Sequence, residues 1–146
     1  MSAQPLVSII VVTVNTPELT HACLESITRN SSVPYELIIV NNCTALRIRR
    51  ILKTFPVTRL IQNKENLGFA KAANQGALAA RGEYLCYLNT DTQVPPGWLE
   101  RLLEGIRRPG VGAVGPLSQE NYGNAIHWPP ANLPANEQTK KEEIQR

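Results

Sequence analysis

Residues 66–92 read NLGFAKAANQGALAARGEYLCYLNTDT, one complete loop, helix, strand and loop in succession. Phe69, Ala72, Ala73, Gly76, Ala77 and Ala80 recur at helical spacing and form a face made mostly of small residues. Small side chains let a helix axis lie close to a sheet, and Gly82 stops this helix. Glu83–Leu88 is then a strand, and Asn89-Thr90-Asp91-Thr92 is the loop at its carboxyl end. A helix packed closely on a sheet and feeding the next strand is the repeating element of an α/β fold.

The same unit recurs toward the amino terminus. Leu6–Val14 is an almost unbroken β-branched run bounded by Pro5 and Asn15-Thr16-Pro17, as expected of a parallel strand buried on both faces. Thr16 is placed to cap, and Pro17 to open, a helix whose apolar face is Leu19, Cys23, Leu24 and Ile27 and which ends near Arg29-Asn30. Tyr35–Val40 is a second strand, followed by the turn Asn41–Thr44 and a helix marked by Ile48, Ile51, Leu52 and Phe55. Val57–Gln62 is a third, weaker strand, and Asn63–Gly68 is a loop. Toward the carboxyl end, Pro95-Pro96-Gly97 turns the chain into a helix carrying Leu99, Leu102, Leu103 and Ile106, and Val111–Val114 reads as a fifth strand.

Strands and helices that alternate with short connections predict a mostly parallel, Rossmann-like sheet with helices on both faces and ligands at the strands' carboxyl ends. This domain covers residues 1–118. Residues 119–146, rich in Asn, Pro and Gln, read as an extended polar tail or the start of a longer acceptor region.

The chain has 146 residues, 42% hydrophobic and 18% charged, the balance of one packed domain. No apolar run could span a bilayer, and the start Met1–Pro5 lacks a signal pattern, so a cytoplasmic location is expected. Cys23, Cys43 and Cys86 are odd in number and widely spaced, which suits reduced thiols better than a disulfide framework or a zinc knuckle. The formal charge of +3 comes without dense basic stretches, which excludes nucleic acid as the expected partner. Of the 12 acidic residues 11 are Glu, so the sole aspartate is Asp91.

Polar residues collect after successive strands: Thr13 and Asn15, Asn41 and Asn42, Asn66 and Gly68, then Asn89, Thr90 and Asp91. Any one such loop is ordinary turn chemistry. Four on one sheet edge could hold an uncharged hydrogen-bonding ligand, with a metal-bridged diphosphate beside Asp91. Mg²⁺ or Mn²⁺ on a nucleotide needs only one or two protein carboxylates.

The segments VSIIVVTVN (Val7–Asn15), CLESI (Cys23–Ile27), YELIIVNN (Tyr35–Asn42), Asn66–Thr92 quoted above and PPGWLERLL (Pro95–Leu103) resemble, in order and spacing, a family 2 glycosyltransferase. The resemblance runs from about Val7 to Leu117. It implies a GT-A fold, here without its C-terminal half. The implied activity is inverting transfer of a sugar from a nucleoside-diphosphate sugar to a saccharide or lipid-linked acceptor, in cell-surface polysaccharide biosynthesis. It places Thr13, Val14 and Asn15 at the nucleotide pocket, Asn42 beside Asn41 at the base, and Asn66, Gly68 and Lys71 along base and diphosphate. Asn89, Thr90 and Asp91 match the family's D-x-D-type motif in an N-x-D version, with Asp91 as ligand of Mn²⁺ or Mg²⁺. The donor could be a UDP-, GDP- or TDP-sugar.

Departures from the family pattern are specific. Asn41 and Asn42 stand where aspartates are usual, and Ala73 stands where an Arg often faces the diphosphate, leaving Lys71 as its substitute. Glu120, Glu137, Glu142 and Glu143 match no general-base motif, so the catalytic base is not identified. Arg47, Arg49, Arg50 and Lys53 make a basic helix side, an ordinary solvated face that is also compatible with peripheral association at the inner membrane face. His21 and His127 are isolated. Trp98 suits packing at a helix start, and Trp128 suits either sugar stacking or local packing. Three readings follow in order: the donor-binding part of a glycosyltransferase, a catalytically silent nucleotide-sugar-binding or scaffold module, and a sugar nucleotidyltransferase. The last is disfavoured because Asn15-Thr16-Pro17 is no Gly-rich triphosphate loop.

Overall fold

A computed structural model of the chain describes residues 5–42 and 46–116. Cys43, His127, Trp128 and the four glutamates from Glu120 onward lie outside the described residues, as does the tail 119–146. Residue contacts group the chain into two units, Met1–Glu104 and Gly105–Arg146.

The first unit is built on a four-stranded parallel sheet in the order β3-β2-β1-β4. The strands are β1 (Val7–Thr13), β2 (Tyr35–Asn41), β3 (Arg59–Gln62) and β4 (Tyr84–Asn89). Between them run α1 (Pro17–Asn30), α2 (Leu46–Leu52) and α3 (Phe69–Ala79), and α4 (Trp98–Ile106) follows β4. β1 and β2 pair in register from Val7↔Tyr35 to Thr13↔Asn41, and β1 and β4 from Val7↔Tyr84 to Val12↔Asn89. β1 is buried along its whole length, as its unbroken β-branched run predicts for a central parallel strand.

Side chains alternate across a strand, so contacts to odd and even positions of β1 identify the two faces. Thr13 lies 2.9 Å from Thr20 of α1, which puts α1 on the odd face. Ile10 lies under Gly76 of α3, and Val12 and Val40 cluster with Ala72 and Ala73, which puts α3 on the even face. Helices therefore cover both faces. The small residues of α3 do what their spacing predicts. A Cβ at Gly76 would stand 2.5 Å from Ile10 Cγ2, so at this point only glycine lets the helix approach so closely.

At the amino end of the same face a buried polar cluster joins three elements. Ser8 Oγ donates to Glu36 Oε1 at 2.6 Å, Arg81 N donates to the same oxygen at 2.6 Å, and Gly82 N donates to Ser8 Oγ at 2.8 Å. Burial opposes ionisation of Glu36, but the hydrogen bonds from Ser8 and from the Arg81 amide and guanidinium outweigh it and hold the carboxyl below its ordinary pKa. α3 already ends at Ala79 with Ala80 as its extended cap, so Gly82 does not stop the helix as expected; a Cβ at Gly82 would meet Ser8 N at 2.6 Å, and glycine here instead admits the chain entering β4 to its place beside β1.

Four further expectations are corrected. Thr16 occupies the N-cap position of α1, yet its hydroxyl makes no capping bond and lies 3.4 Å from Thr90 Oγ1. Phe55 falls beyond α2, where its ring meets His21 edge-on at 5.3 Å. Phe69, the first residue of α3, leaves the packing face and is 56% exposed. Val111–Val114 forms no strand among the described residues. Gly112 interrupts it, with Gly110 and Gly115 on either side, and glycine weakens a strand interior.

Candidate functional site

The order β3-β2-β1-β4 means that the chain steps outward from β1 to β3 and then returns to the other side of β1. In parallel α/β sheets a crevice opens at the carboxyl ends where the direction reverses. A pocket of about 360 Å³ lies there, lined by Val12, Val14, Thr16, Asn42, Asn66, Gly68, Phe69 and Thr90. That volume is within the range of about 300–1,000 Å³ usual for small-molecule sites. Segments following β1, β2, β3 and β4 all contribute to its wall.

The β1 end is held from beneath. Thr20 Oγ1 donates to the Thr16 carbonyl at 2.7 Å, so its lone hydroxyl proton is used there and Thr13 is the donor in the 2.9 Å contact between Thr13 and Thr20. Asn15 follows with φ of 47°, a left-handed conformation that asparagine adopts more readily than most residues and that turns the chain sharply from β1 into α1. Thr16 and Thr90, 3.4 Å apart, bring the loops after β1 and β4 together.

The β2 and β3 ends are joined by side-chain amides. Asn42 accepts at Oδ1 from Leu67 N at 3.1 Å and Asn63 Nδ2 at 3.0 Å, and donates through Nδ2 to Asn66 Oδ1 at 2.8 Å and the Gly68 carbonyl at 3.3 Å. Asn63 and Gln75 exchange two hydrogen bonds of 2.7 and 3.1 Å. Gly68, with φ of 79°, has the left-handed backbone that lets α3 start directly behind the pocket wall.

The pocket thus brings together five of the residues expected from the sequence: Val14, Asn42, Asn66, Gly68 and Thr90. Thr13 and Asn41 are fully buried behind it. Asn41 Nδ2 donates to Gln62 Oε1 at 2.9 Å, and Asn41 Oδ1 has no hydrogen-bond partner among the described residues. Asn15, Lys71, Asn89 and Asp91 are exposed and lie outside the pocket lining. Asp91 sits in the turn closed by Thr92 N donating to the Asn89 carbonyl at 3.2 Å, next in chain to pocket-lining Thr90. Burial first, and the charge of nearby Asp91 second, push the Cys23 thiol up to about 12.

Val12, Thr16 and Phe69 belong to the wall although the sequence reading assigned them to strand core, cap and helix face. Asn63 and Gln75 support it from behind. The Asn63…Asn66 pair in one short loop was the available signal, since two asparagines flanking a turn offer side-chain amides to neighbouring backbone.

Asp91 offers a metal ion one hard oxygen donor, open to solvent and adjacent to the pocket. No cluster of three or more metal-ligating side chains occurs among the described residues. One carboxylate fits an ion that takes its other ligands from phosphate and water, and does not fit a cage built by protein alone.

Comparison with known proteins agrees with this architecture. The family profile of Glycosyl transferase family 2 matches residues 8–146. An uncharacterised glycosyltransferase of Haemophilus influenzae is 35% identical over 106 residues, covering 70% of this chain and 35% of that protein. The uncharacterised glycosyltransferase EpsJ of Bacillus subtilis is 30% identical over 144 residues, covering 96% of this chain and 42% of that protein. Among solved structures, a mannosyltransferase of Pyrobaculum calidifontis in complex with GDP-Man and Mn²⁺ superposes with a TM-score of 0.64 at 24% identity, over 74% of this chain and 34% of that one. S. aureus TarS residues 1–349 give a TM-score of 0.62 at 21% identity, over 68% of this chain and 32% of that one. The chain therefore spans between about a third and two fifths of the length of these proteins. With a parallel sheet of GT-A type, a wall built by successive strand ends and a family profile matching nearly its whole length, the chain belongs to glycosyltransferase family 2.

Proposed function

We propose that this chain is the donor-binding part of an inverting glycosyltransferase that takes a hexosyl group from a nucleoside-diphosphate sugar. The observation that carries the reading is the pocket at the carboxyl edge of the sheet, walled by segments after all four strands, with the only aspartate of the sequence beside it. The base and ribose lie against Val12, Val14, Asn66, Gly68 and Phe69. Asn89, Thr90 and Asp91 face the diphosphate, and Lys71 lends positive charge from the exposed first turn of α3. Asp91 would hold a divalent cation, Mn²⁺ or Mg²⁺, which when bound neutralises charge on the departing diphosphate.

Inversion follows from attack of an acceptor hydroxyl on the anomeric carbon as the bond to the diphosphate oxygen breaks. The acceptor's proton passes to a general base, which we assign to the protein outside the described residues. The myxobacterial relative named as an O-antigen biosynthesis protein, 34% identical over 116 residues covering 76% of this chain and 9% of that protein, supports a saccharide or lipid-linked acceptor in surface polysaccharide assembly. No helix among the described residues is long and apolar enough to cross a membrane. Exposed Arg49, Arg50 and Lys53 suit work at the cytoplasmic membrane face.

The test is titration of the chain with UDP, GDP and TDP, each with and without Mn²⁺, in the wild type and in Asp91→Ala. Binding of one nucleotide that strengthens with Mn²⁺ and loses that strengthening in Asp91→Ala is expected. Metal-independent binding untouched by Asp91→Ala would instead support a silent nucleotide-sugar-binding module. Absence of binding to all three by the folded chain would refute the donor site.

A further inference from the structure

Asn42 uses every hydrogen-bonding valence it has. A carboxamide carries two N–H groups and two lone pairs, and here both protons and both lone pairs are engaged within the protein. The orientation of the amide is set by the backbone. Leu67 N–H can only donate, so the atom 3.1 Å from it is oxygen; the Gly68 carbonyl can only accept, so the atom 3.3 Å from it is nitrogen. Polarity then passes outward. Asn63 must present its nitrogen to Asn42 Oδ1, and that nitrogen also donates to Gln75 Oε1 at 2.7 Å while Asn63 Oδ1 accepts from Gln75 Nε2 at 3.1 Å. On the other side, Asn66 Oδ1 accepts from Asn42 Nδ2 and from Gly68 N at 2.9 Å.

The network ties the end of β2, the loop 63–68 and the body of α3 into one piece. Asn42, Asn66 and Gly68 belong to the pocket wall, whereas Asn63 and Gln75 stand behind it. Asn42 is fully buried, so contact with a ligand's polar edge would require breaking one of its four internal bonds. Resting on the donor-site reading above, we propose that Asn42 is a positioning residue. It holds the Asn66–Gly68 turn, and with it Phe69, as the wall for the donor's base, and does not itself read the base edge. An aspartate at this position would still accept from Leu67 and Asn63, but would set a charged oxygen of a fully buried side chain against the Gly68 carbonyl and Asn66 Oδ1.

The test uses Asn42→Asp and Gln75→Leu, the second removing the brace from outside the pocket. Two quantities are read: hydrogen exchange of the Leu67 and Gly68 amides, with β1 amides as reference, and Kd for UDP, GDP and TDP with Mn²⁺. Both variants should speed Leu67 and Gly68 exchange about tenfold while β1 amides keep their protection, the size of one buried hydrogen-bond partner lost. Kd should rise about tenfold, by the same factor for every nucleotide the wild type binds. Loss confined to one base in Asn42→Asp, with Gln75→Leu at wild-type affinity, would show a direct base contact and overturn the proposal. Unchanged Leu67 exchange in Gln75→Leu would overturn it as well, and Gln75→Leu carries the test if Asn42→Asp fails to fold. Should the wild type bind none of the three nucleotides, the donor reading falls and with it the base-side role, while the exchange data decide the brace independently.

Discussion

Gly76→Ala is a substitution whose sign tests how closely α3 lies on the sheet. In a solvent-exposed helix the change stabilises by about 0.8–1.0 kcal/mol, since alanine is the better helix former. At Gly76 the added methyl carbon would stand 2.5 Å from Ile10 Cγ2 and 3.3 Å from Val40 Cγ2. Carbon atoms rest at about 3.5–4.0 Å, so roughly 1 Å of movement is required. Ile10 is 1% exposed and sits on β1 between β2 and β4, and its β-branched side chain has little rotamer freedom. Overpacking of this kind costs about 1–3 kcal/mol, which exceeds the propensity gain and leaves a net loss of about 1 kcal/mol. For a domain of this size that lowers Tm by about 4–8 °C. Urea and thermal denaturation would be compared with Asn74→Ala, an exposed position on the same helix where no loss is expected. Ile10→Ala in the Gly76→Ala background should cost less than in the wild type, with a coupling of at least about 0.5 kcal/mol. A raised Tm for Gly76→Ala, or strictly additive effects with Ile10→Ala, would refute the close approach.

Other outcomes follow from groups away from the pocket. Because the Glu36 carboxyl lies below its ordinary pKa when folded, it contributes stability that is present above the unfolded-state pKa and lost as pH falls through the folded one. Glu36→Gln should therefore destabilise at pH 7 by about 1–2 kcal/mol, the attraction of largely exposed Arg81 being screened, and flatten the acid limb of a stability-versus-pH curve. An unchanged acid limb would count against the cluster. Burial pushes the Cys86 thiol up to about 11, and the Cys23 thiol stands at about 12, so both should resist an aromatic disulfide reagent at pH 8 until the chain is unfolded. Rapid labelling of either in the native state, read by mass spectrometry, would contradict their placement.

Much of the fold is legible from the sequence because its signals are local. The β-branched run of β1, the small-residue face of α3 and Pro17 at the first turn of α1 each act through neighbouring backbone, and the structure places each as read. Thr16 was read differently because its side-chain partner lies across space, whereas Phe69 and Val111–Val114 depart for local reasons, a first helical position and the glycines in and beside the run. Thr16 faces Thr90, 74 residues away, and not the backbone it precedes. The Asn-rich loops could be seen to converge, but whether an amide faces ligand or protein could not be seen.

The order of elements, the parallel sheet, the family and the edge on which polar residues gather are legible in the chain alone, since periodicity, turn chemistry and motif spacing are properties of neighbouring residues. It takes the folded chain to show that Asn42 spends all four of its hydrogen bonds on Asn63, Asn66, Leu67 and Gly68, that Gln75 stands behind it, and that Phe69 lines the pocket. A hydrogen-bonding valence is satisfied or left open by atoms 21 or more residues distant in the chain, and those partners exist only once β2, the loop 63–68 and α3 have been brought together.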